Sequence, residues 1–175
     1  MDFEAEIEIE IPFYDVDSAG IVWHGNYVKY FEVARCVLLD KLNYNYIDMK
    51  ESGFFWPVID IRLRYVNPAK FKQKISVRAA IKEWENRLKI NYLIVDTETG
   101  NRLIRGYSVQ VAVEITSGEM LFASPPILFE KLGLKAPMVG HVGDGNFHVT
   151  VIYDPAKKGE YEIIRNFSDK LIDKA

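Results

Sequence analysis

The amino-terminal end of the chain alternates strictly between apolar and charged residues. Apolar residues occupy the odd positions from Phe3 to Phe13, and glutamates occupy positions 4, 6, 8 and 10. Because successive side chains of a β-strand point to opposite faces, this pattern predicts a strand with one buried face and one face in water. The glutamates on the wet face also oppose edge-to-edge aggregation of such a strand.

A helical spacing replaces this alternation after residues 14–24, which show no period and are predicted to form a loop. From about Gly25, apolar and aromatic residues recur at the spacing of one helix face. They are Tyr27, Tyr30, Phe31, Ala34 and Leu38. This stripe predicts an amphipathic, deeply packed helix that ends near Leu39 or Lys41.

Four more stretches return to the alternating pattern, at residues 59–65, 75–82, 88–94 and 107–115. Each has one apolar and one polar face, and short turns such as DTETGN between them favour antiparallel pairing. One helix covers only one face of a sheet, and it does so when the sheet curls around it. The pattern therefore predicts an α+β fold in which an antiparallel sheet wraps around a long central helix.

The chain changes character after a short predicted helix in SPPILFEKLG. The linker LKAPM is followed by a stretch that predicts a β-hairpin turning at Asp144-Gly145, and then by a predicted helix in EYEIIRNFSDKLIDKA. We therefore divide the chain into a domain at residues 1–134 and a carboxy-terminal appendage, a hairpin plus a helix, at residues 135–175.

Composition narrows the functional classes. The chain has 175 residues, of which 49% are hydrophobic and 27% charged, so it can bury a core, and its net charge of -3 gives no reason to expect a nucleic-acid partner. The single cysteine, Cys36, excludes an intrachain disulfide framework and fits a reducing compartment. The acidic start is unlike a signal peptide, and no apolar run approaches the roughly 20 residues of a membrane span. We therefore expect a cytoplasmic protein without a membrane span.

The loop before the helix concentrates polar chemistry, because Tyr14, Asp15, Asp17 and His24 fall within eleven residues. An aspartate before a helix is most often a cap or a turn former. Here, however, no Ser, Thr or Asp stands immediately before the helix, and Gly25 caps only weakly. The early backbone N–H groups are then free to hold a carbonyl oxygen that gains charge, which favours catalysis over packing alone.

With this order of elements, DVDSAGIVWHGNYVKYFEVAR resembles the signature of the hotdog-fold acyl-CoA thioesterases. The resemblance is to the 4-hydroxybenzoyl-CoA thioesterase-like group that includes the YbgC-type enzymes, and it covers about residues 3–134. The matching positions are Asp15, Asp17, Gly20, Val22, His24, Asn26, Tyr27, Phe31, Glu32 and Arg35. It implies a hotdog fold, a homodimer or homotetramer, and hydrolysis of acyl-CoA to free acid and CoA with no cofactor.

The resemblance also assigns catalytic roles. Asp17 matches the catalytic carboxylate, which either attacks the thioester carbonyl or activates water. His24 and Tyr14 match the histidine and tyrosine grouped with that carboxylate, and the backbone amide at His24 or its neighbour matches the donor to the carbonyl. Asp15 is interpreted instead as a structural residue of the loop.

Other residues have two interpretations from the sequence. Glu32 and Arg35 lie one helical turn apart and either pair with each other or, for Glu32, face the site of a neighbouring subunit. The segment from Phe54 to Trp56 is either core or the lining of an acyl pocket. Basic residues on polar strand faces are candidates for the phosphates of CoA or are ordinary solvated residues. They are Arg62, Arg64, Lys74, Arg78, Lys82, Arg87 and Lys89.

The appendage resembles a different family. From about residue 137, GHVGDGNFHVTVIYDP is similar to a fragment of the carboxy-terminal domain of FAD-linked oxidases of the D-lactate dehydrogenase and glycolate oxidase type. There the two histidines help to bind metal and substrate, and here they are His141 and His148. In a hairpin turning at Asp144-Gly145 they are expected to stand directly opposite each other. The other ligands and the flavin domain of those oxidases have no counterpart in this sequence, so two histidines make an incomplete site.

Three functions compete on this basis. The leading hypothesis is an acyl-CoA thioesterase, carried by the motif at residues 15–35. The second is a non-catalytic hotdog module that binds acyl groups or partners, which predicts acyl-CoA binding without turnover. The third is a flavin or metal oxidoreductase function of the appendage, which predicts bound flavin or metal.

Overall fold

The structure is a computed structural model that describes residues 3–134, 138–140 and 147–149. The predicted final helix of the appendage lies outside these residues. Within the described part of the chain, no helix is both long and apolar enough to cross a membrane.

A five-stranded antiparallel sheet forms the frame of the molecule, with strand order β1-β4-β5-β6-β3. Four of the strands match stretches in which the sequence alternates, although the first strand stops before the end of its apolar pattern. The fifth strand, at 102–110, begins before the predicted stretch at 107–115 and overlaps only its first part. The strands are β1 Glu4–Glu10, β3 Val58–Tyr65, β4 Lys74–Glu83, β5 Leu88–Asp96 and β6 Arg102–Gln110. Their pairing is antiparallel throughout, as the short turns predict.

The long helix α1, Asn26–Lys41, packs against one face of this sheet, which we call the inner face. Its predicted start and end are both confirmed. The aromatic stripe is buried as expected, and the ring of Phe31 stacks on that of Tyr92 in β5 with the ring centroids 4.2 Å apart. The predicted arrangement of sheet and helix is therefore confirmed.

Strand β6 differs from the simple alternation. Its inner face carries Gly106, Ser108 and Gln110, of which Ser108 and Gln110 belong to the polar set of the pattern and are almost fully buried there. Tyr107, from the apolar set, lies on the outer face. The packing of α1 explains this arrangement. The aromatic edge of Phe31 lies against the bare Cα of Gly106, and Arg35 donates a hydrogen bond to Ser108.

Short elements close the ends of this frame. A 3₁₀ turn, Phe13–Asp15, follows β1, and helix α2, Tyr46–Glu51, follows α1. Strand β2, Phe54–Phe55, pairs with β7, Val113–Glu114, so the predicted strand at 107–115 is divided between two sheets. Helix α3, Pro126–Lys131, ends the predicted main domain.

The appendage contains the predicted antiparallel hairpin, formed by β8, Met138–Gly140, and β9, Phe147–Val149. Its register is not the expected one, because His148 is paired with Val139 rather than with His141. The expectation that the two histidines stand directly opposite each other is therefore wrong.

Candidate active site

A cleft of about 330 Å³ lies at the amino-terminal end of α1. One wall is the loop that precedes the helix together with the first helical turn, and the other wall is the segment that follows β3. The lining residues are Asp17, Ile21, Val22, His24, Tyr27, Tyr65, Val66, Asn67 and Pro68. The backbone N–H of Val22 donates to the carbonyl of Ala69 at 2.9 Å, so the two walls are joined at one end.

A tight turn presents Asp17 to the cleft. The N–H of Gly20 donates to the carbonyl of Asp17 at 3.0 Å, and the N–H of Asp17 donates to the carbonyl of Ile21 at 2.9 Å. Gly20 has a φ of 77°, which glycine adopts at low cost. One carboxylate oxygen of Asp17 accepts from the N–H of Ala19 at 2.8 Å, and the other has no partner among the described residues.

The front of α1 has no side-chain cap. Gly25 occupies the N-cap position, and no side chain accepts a hydrogen bond from the first helical turn. The N–H of Asn26 donates to the carbonyl of Trp23 at 2.9 Å, whereas the amides of His24 and Gly25 donate to no acceptor in the described part of the chain. The predicted uncapped helix start is confirmed, and it provides backbone donors beside His24.

Asp15 anchors the loop to the helix. Its carboxylate is buried and accepts from Lys29 Nζ at 2.9 Å and from the Tyr30 hydroxyl at 2.8 Å. Its backbone carbonyl accepts from the N–H of Trp23 at 3.0 Å and from Asn26 Nδ2 at 2.9 Å. Burial, followed by the bond to this carboxylate, raises the pKa of Tyr30, which keeps its phenol a donor. These contacts support the structural interpretation of Asp15.

Tyr65 is a cleft residue that the sequence analysis did not identify. Its hydroxyl donates to the backbone carbonyl of His24 at 3.1 Å, and its ring packs edge-on against Tyr27 with centroids 5.8 Å apart. Tyr27 is fixed in turn, because its hydroxyl accepts from the N–H of Ala69 at 2.9 Å and burial raises its pKa. The available sequence signal was a tyrosine at the end of a predicted strand, two residues before Asn67-Pro68, but a single aromatic at that place is not distinctive.

The structure brings two of the three predicted site residues to this cleft. Asp17 and His24 line it. Tyr14 is 82% exposed in the 3₁₀ turn and is not among the residues that line the cleft. Its role therefore stays a prediction that these contacts do not support.

Glu32 and Arg35 form the ion pair that their spacing predicts. The guanidinium of Arg35 is buried, and it also donates to the Tyr46 hydroxyl at 2.7 Å and to the Ser108 hydroxyl at 3.5 Å. Tyr46 in turn donates to Glu32 at 2.7 Å, and burial raises its pKa. The hydrogen bond from Arg35 therefore explains why a polar residue, Ser108, is buried on the inner face of β6.

The basic residues named as candidates for CoA phosphates do not line the cleft. On β3, Arg62 and Arg64 alternate with Tyr65, so they project from the outer face while Tyr65 lies on the inner side. In the aromatic segment after α2, Trp56 is buried and Phe55 is 47% exposed. None of these residues contributes to the wall of the cleft.

An antiparallel sheet packed on one long helix, with a cleft at the front of that helix, agrees with the hotdog fold that the sequence resemblance implies. Residues 11–142 match the model of the thioesterase-like superfamily. The chain therefore belongs to the thioesterase-like superfamily, which makes it a thioester hydrolase by family.

Two relatives illustrate this membership. The putative acyl-CoA thioesterase YneP of Bacillus subtilis is 29% identical over 124 residues, which are 71% of this chain and 86% of that protein. The crystal structure of a DHNA-CoA thioesterase from Staphylococcus aureus superposes with a TM-score of 0.66 and 26% identity, over 74% of this chain and 89% of that one.

Part of the chain also matches a protein of a different class, an oxidoreductase. A probable mitochondrial D-lactate dehydrogenase of Danio rerio is 30% identical over 71 residues, which are 41% of this chain and only 14% of that protein. This match agrees with the resemblance of the appendage to a fragment of such oxidases.

Proposed function

We propose that the protein hydrolyses acyl-CoA thioesters to a free acid and CoA at the cleft in front of α1. The observation that carries the proposal is the meeting of Asp17 with the uncapped helix start in one cleft. The amides beside His24 and the positive end of the helix dipole would stabilise the carbonyl oxygen as it gains charge. The thiolate is a good leaving group and needs little acid assistance.

Asp17 is the proposed catalytic carboxylate, acting on the carbonyl carbon directly or through water. Its turn holds one oxygen and leaves the second without a partner in the described part of the chain, which suits either role. His24 lines the same cleft and is the proposed partner in polarising water. Tyr14, which the resemblance implies as a third member, would need a contact that lies outside this cleft.

Release of thiol from a series of acyl-CoA esters tests this proposal. We expect Asp17→Asn to lower turnover by about 100-fold or more, the usual contribution of such a group. The variant should fold normally, because an asparagine oxygen can still accept from the N–H of Ala19. Asp60→Asn is the matched control, since Asp60 is an exposed aspartate of β3 that does not line the cleft.

Three results separate the alternatives. Binding of acyl-CoA without turnover by the wild type would indicate a non-catalytic binding module. Equal turnover of wild type and Asp17→Asn would remove Asp17 from the mechanism. An unfolded Asp17→Asn variant would assign that residue a structural role.

We also infer that the protein assembles as a homodimer or homotetramer and works in the cytoplasm. Strand β3 is an edge strand of the sheet, and it exposes Ile59 and Ile61 as well as its unpaired backbone edge. Such an edge is a template for pairing with a second chain. The half-buried thiol of Cys36 suits a reducing compartment.

A further inference from the structure

The outer face of the sheet, opposite α1, carries a second concavity of about 630 Å³. It spans the outer sides of β5, β6 and β3, so it lies on the other face of the sheet from the cleft that contains Asp17. Its polar lining consists mainly of Arg62, Arg64, Asn91, Arg105 and Tyr107. The three arginines are all exposed.

The register of the sheet places two of these arginines directly side by side. Arg64 of β3 is the cross-strand partner of Arg105 of β6, and Arg62 is the partner of the neighbouring Tyr107. Two like charges in directly opposite positions destabilise a sheet. This pair is therefore a cost to the fold unless something of opposite charge lies between the two guanidinium groups.

The described part of the chain supplies no such charge within ion-pair distance of Arg62, Arg64 or Arg105. The acidic residues on the same face are Asp60, two positions before Arg62, the glutamates of β1 at the opposite edge of the sheet, and Glu83, which pairs with Arg87 and Lys89. Glu4 lines an adjoining concavity that also reaches Arg105, but it forms no ion pair with that residue.

The chemistry of the cluster suits an oxyanion, and a phosphate offers more acceptor oxygens and more charge than a carboxylate. A guanidinium group presents several N–H donors in a plane that matches two oxygens of one phosphate, and adjacent guanidinium groups can share a phosphate or a pyrophosphate. Tyr107 adds a ring beside Arg62, and Lys89 Nζ lies 4.9 Å from the centroid of that ring while it is ion-paired with Glu83 at 3.4 Å.

We propose that Arg62, Arg64 and Arg105 form a binding site for a phosphate or pyrophosphate group on the outer face of the sheet. Two sources share this chemistry: the nucleotide end of an acyl-CoA, and a free phosphorylated ligand that acts apart from the cleft. The first source rests on the proposed function, whereas the anion site itself does not.

Titration calorimetry of the full chain with pyrophosphate and with CoA tests the site. Wild type is expected to bind both ligands, more weakly as salt is added. The double variant Arg64→Gln/Arg105→Gln is expected to weaken both by about tenfold or more, because two charge-assisted contacts are lost. Lys50→Gln, which removes an exposed charge of α2, is the matched control and should bind as the wild type does.

The double variant is expected to fold, because both side chains are exposed and their removal relieves a like-charge contact. Circular dichroism and the melting temperature verify this. The site is overturned if the folded double variant binds pyrophosphate and CoA with the wild-type Kd.

Steady-state kinetics then identifies the source of the phosphate. A KM for acyl-CoA that rises in the double variant, with unchanged hydrolysis of an N-acetylcysteamine thioester that has no nucleotide, assigns the site to the substrate. An unchanged KM, with pyrophosphate binding lost, assigns it to a free phosphorylated ligand. Arginine-dependent pyrophosphate binding in a wild type that hydrolyses no acyl-CoA would refute the proposed function and leave the anion site standing.

Discussion

Asp15 and Asp17 stand two positions apart in the same loop, yet the structure gives them opposite surroundings. The carboxylate of Asp15 is buried, and each of its two oxygens accepts a hydrogen bond from a helix side chain, one from Lys29 and one from Tyr30. The carboxylate of Asp17 lines a cleft and keeps one oxygen without a partner in the described part of the chain. A buried carboxylate with a full set of partners stabilises a fold, whereas one with spare acceptor capacity can act on a ligand.

Tyr65 offers a test of positioning at the level of one atom. Its hydroxyl holds the carbonyl of His24, and hence the peptide that leads into the front of α1. Tyr65→Phe removes this bond but keeps the ring against Tyr27, so we expect kcat to fall roughly two- to tenfold, the worth of one hydrogen bond, with KM and the melting temperature little changed.

Tyr44→Phe is the matched control for Tyr65→Phe, because it removes the hydroxyl that bonds Ser52, away from the cleft. It should leave kcat as it is in the wild type. A Tyr65→Phe variant with the kcat of the wild type would show that the hydrogen bond to His24 does not position the site.

These residues show what a sequence can reveal about a site. Asp17 and His24 were predictable because a dense motif names them, and the uncapped helix start was predictable because capping residues are few. Tyr65 was not, since it is 41 residues from the carbonyl that it holds and only the folded sheet brings the two together. Tyr14 was placed with Asp17 by the motif alone, whereas the 3₁₀ turn directs that residue into solvent.

At the scale of elements, the contact between α1 and β6 depends on a missing side chain. A Cβ added to Gly106 would lie 2.2 Å from the carbonyl oxygen of Arg62 and 2.9 Å from the ring of Phe31. The backbone oxygen belongs to the neighbouring strand and cannot rotate away. The helix therefore approaches the sheet this closely only because position 106 is glycine.

We expect Gly106→Ala to lower the free energy of unfolding by about 1–3 kcal/mol, the usual cost of overpacking, which chemical denaturation would measure. Gly25→Ala is the matched control, because the three atoms nearest to its Cβ all belong to the ring of Trp23, which is 49% exposed and can turn outward. A Gly106→Ala variant as stable as Gly25→Ala would contradict this account of the helix–sheet contact.

The turn between β5 and β6 is organised by one carboxylate. Asp96 accepts from the N–H groups of Glu98 and Thr99 at 2.9 and 2.6 Å, and from Gln73. The bond from Gln73, followed by those from Thr99, lowers the pKa of Asp96. Because the ionised form is favoured by folding, its contribution to stability is present above the unfolded pKa of about 4 and is lost as the pH falls through the folded pKa.

We therefore expect Asp96→Asn to lower the melting temperature at neutral pH and to differ less and less from the wild type as the pH falls below about 4. Thermal unfolding across this range measures the difference, and Asp60→Asn, which lacks such bonds, should follow the wild type throughout. A difference that stays constant down to strongly acidic pH would assign the effect to the turn geometry and not to the charge.

Element boundaries were more predictable than the faces of the elements. Both ends of α1 follow from its apolar stripe, and four strands follow from the alternation, whereas the bounds of β6 do not. The inner face of β6 could not be predicted from hydropathy, because burial of Arg35 requires a polar partner, and Ser108 supplies it. The register of the appendage hairpin depended on a turn position that sequence fixes only to within one residue.

At the scale of the whole molecule, β3 is one of the two edge strands of the sheet in the described part of the chain, and it exposes Ile59 and Ile61. If the proposed dimer pairs through this edge, Ile59→Lys places a charge where the second chain would dock and should shift the protein toward the monomer. Light scattering after size-exclusion chromatography measures the mass. Ile47→Lys on α2, where Ile47 is 69% exposed, is the matched control, and an unchanged mass for Ile59→Lys would exclude this edge as the interface.

The two joints of the cleft have unequal strength, and this gives the cleft a preferred direction of opening. Near Val22 the walls share a backbone hydrogen bond and a β-bridge between Ile21 and Lys70, so this end of the cleft is firmly joined. At the other end the walls are joined by one exposed hydrogen bond, from the Tyr65 hydroxyl to the carbonyl of His24, which is worth about 1 kcal/mol. Thermal motion should therefore separate the two walls beside His24 first. An arriving molecule then meets the amides at the front of α1 before it reaches the end of the cleft beside Val22.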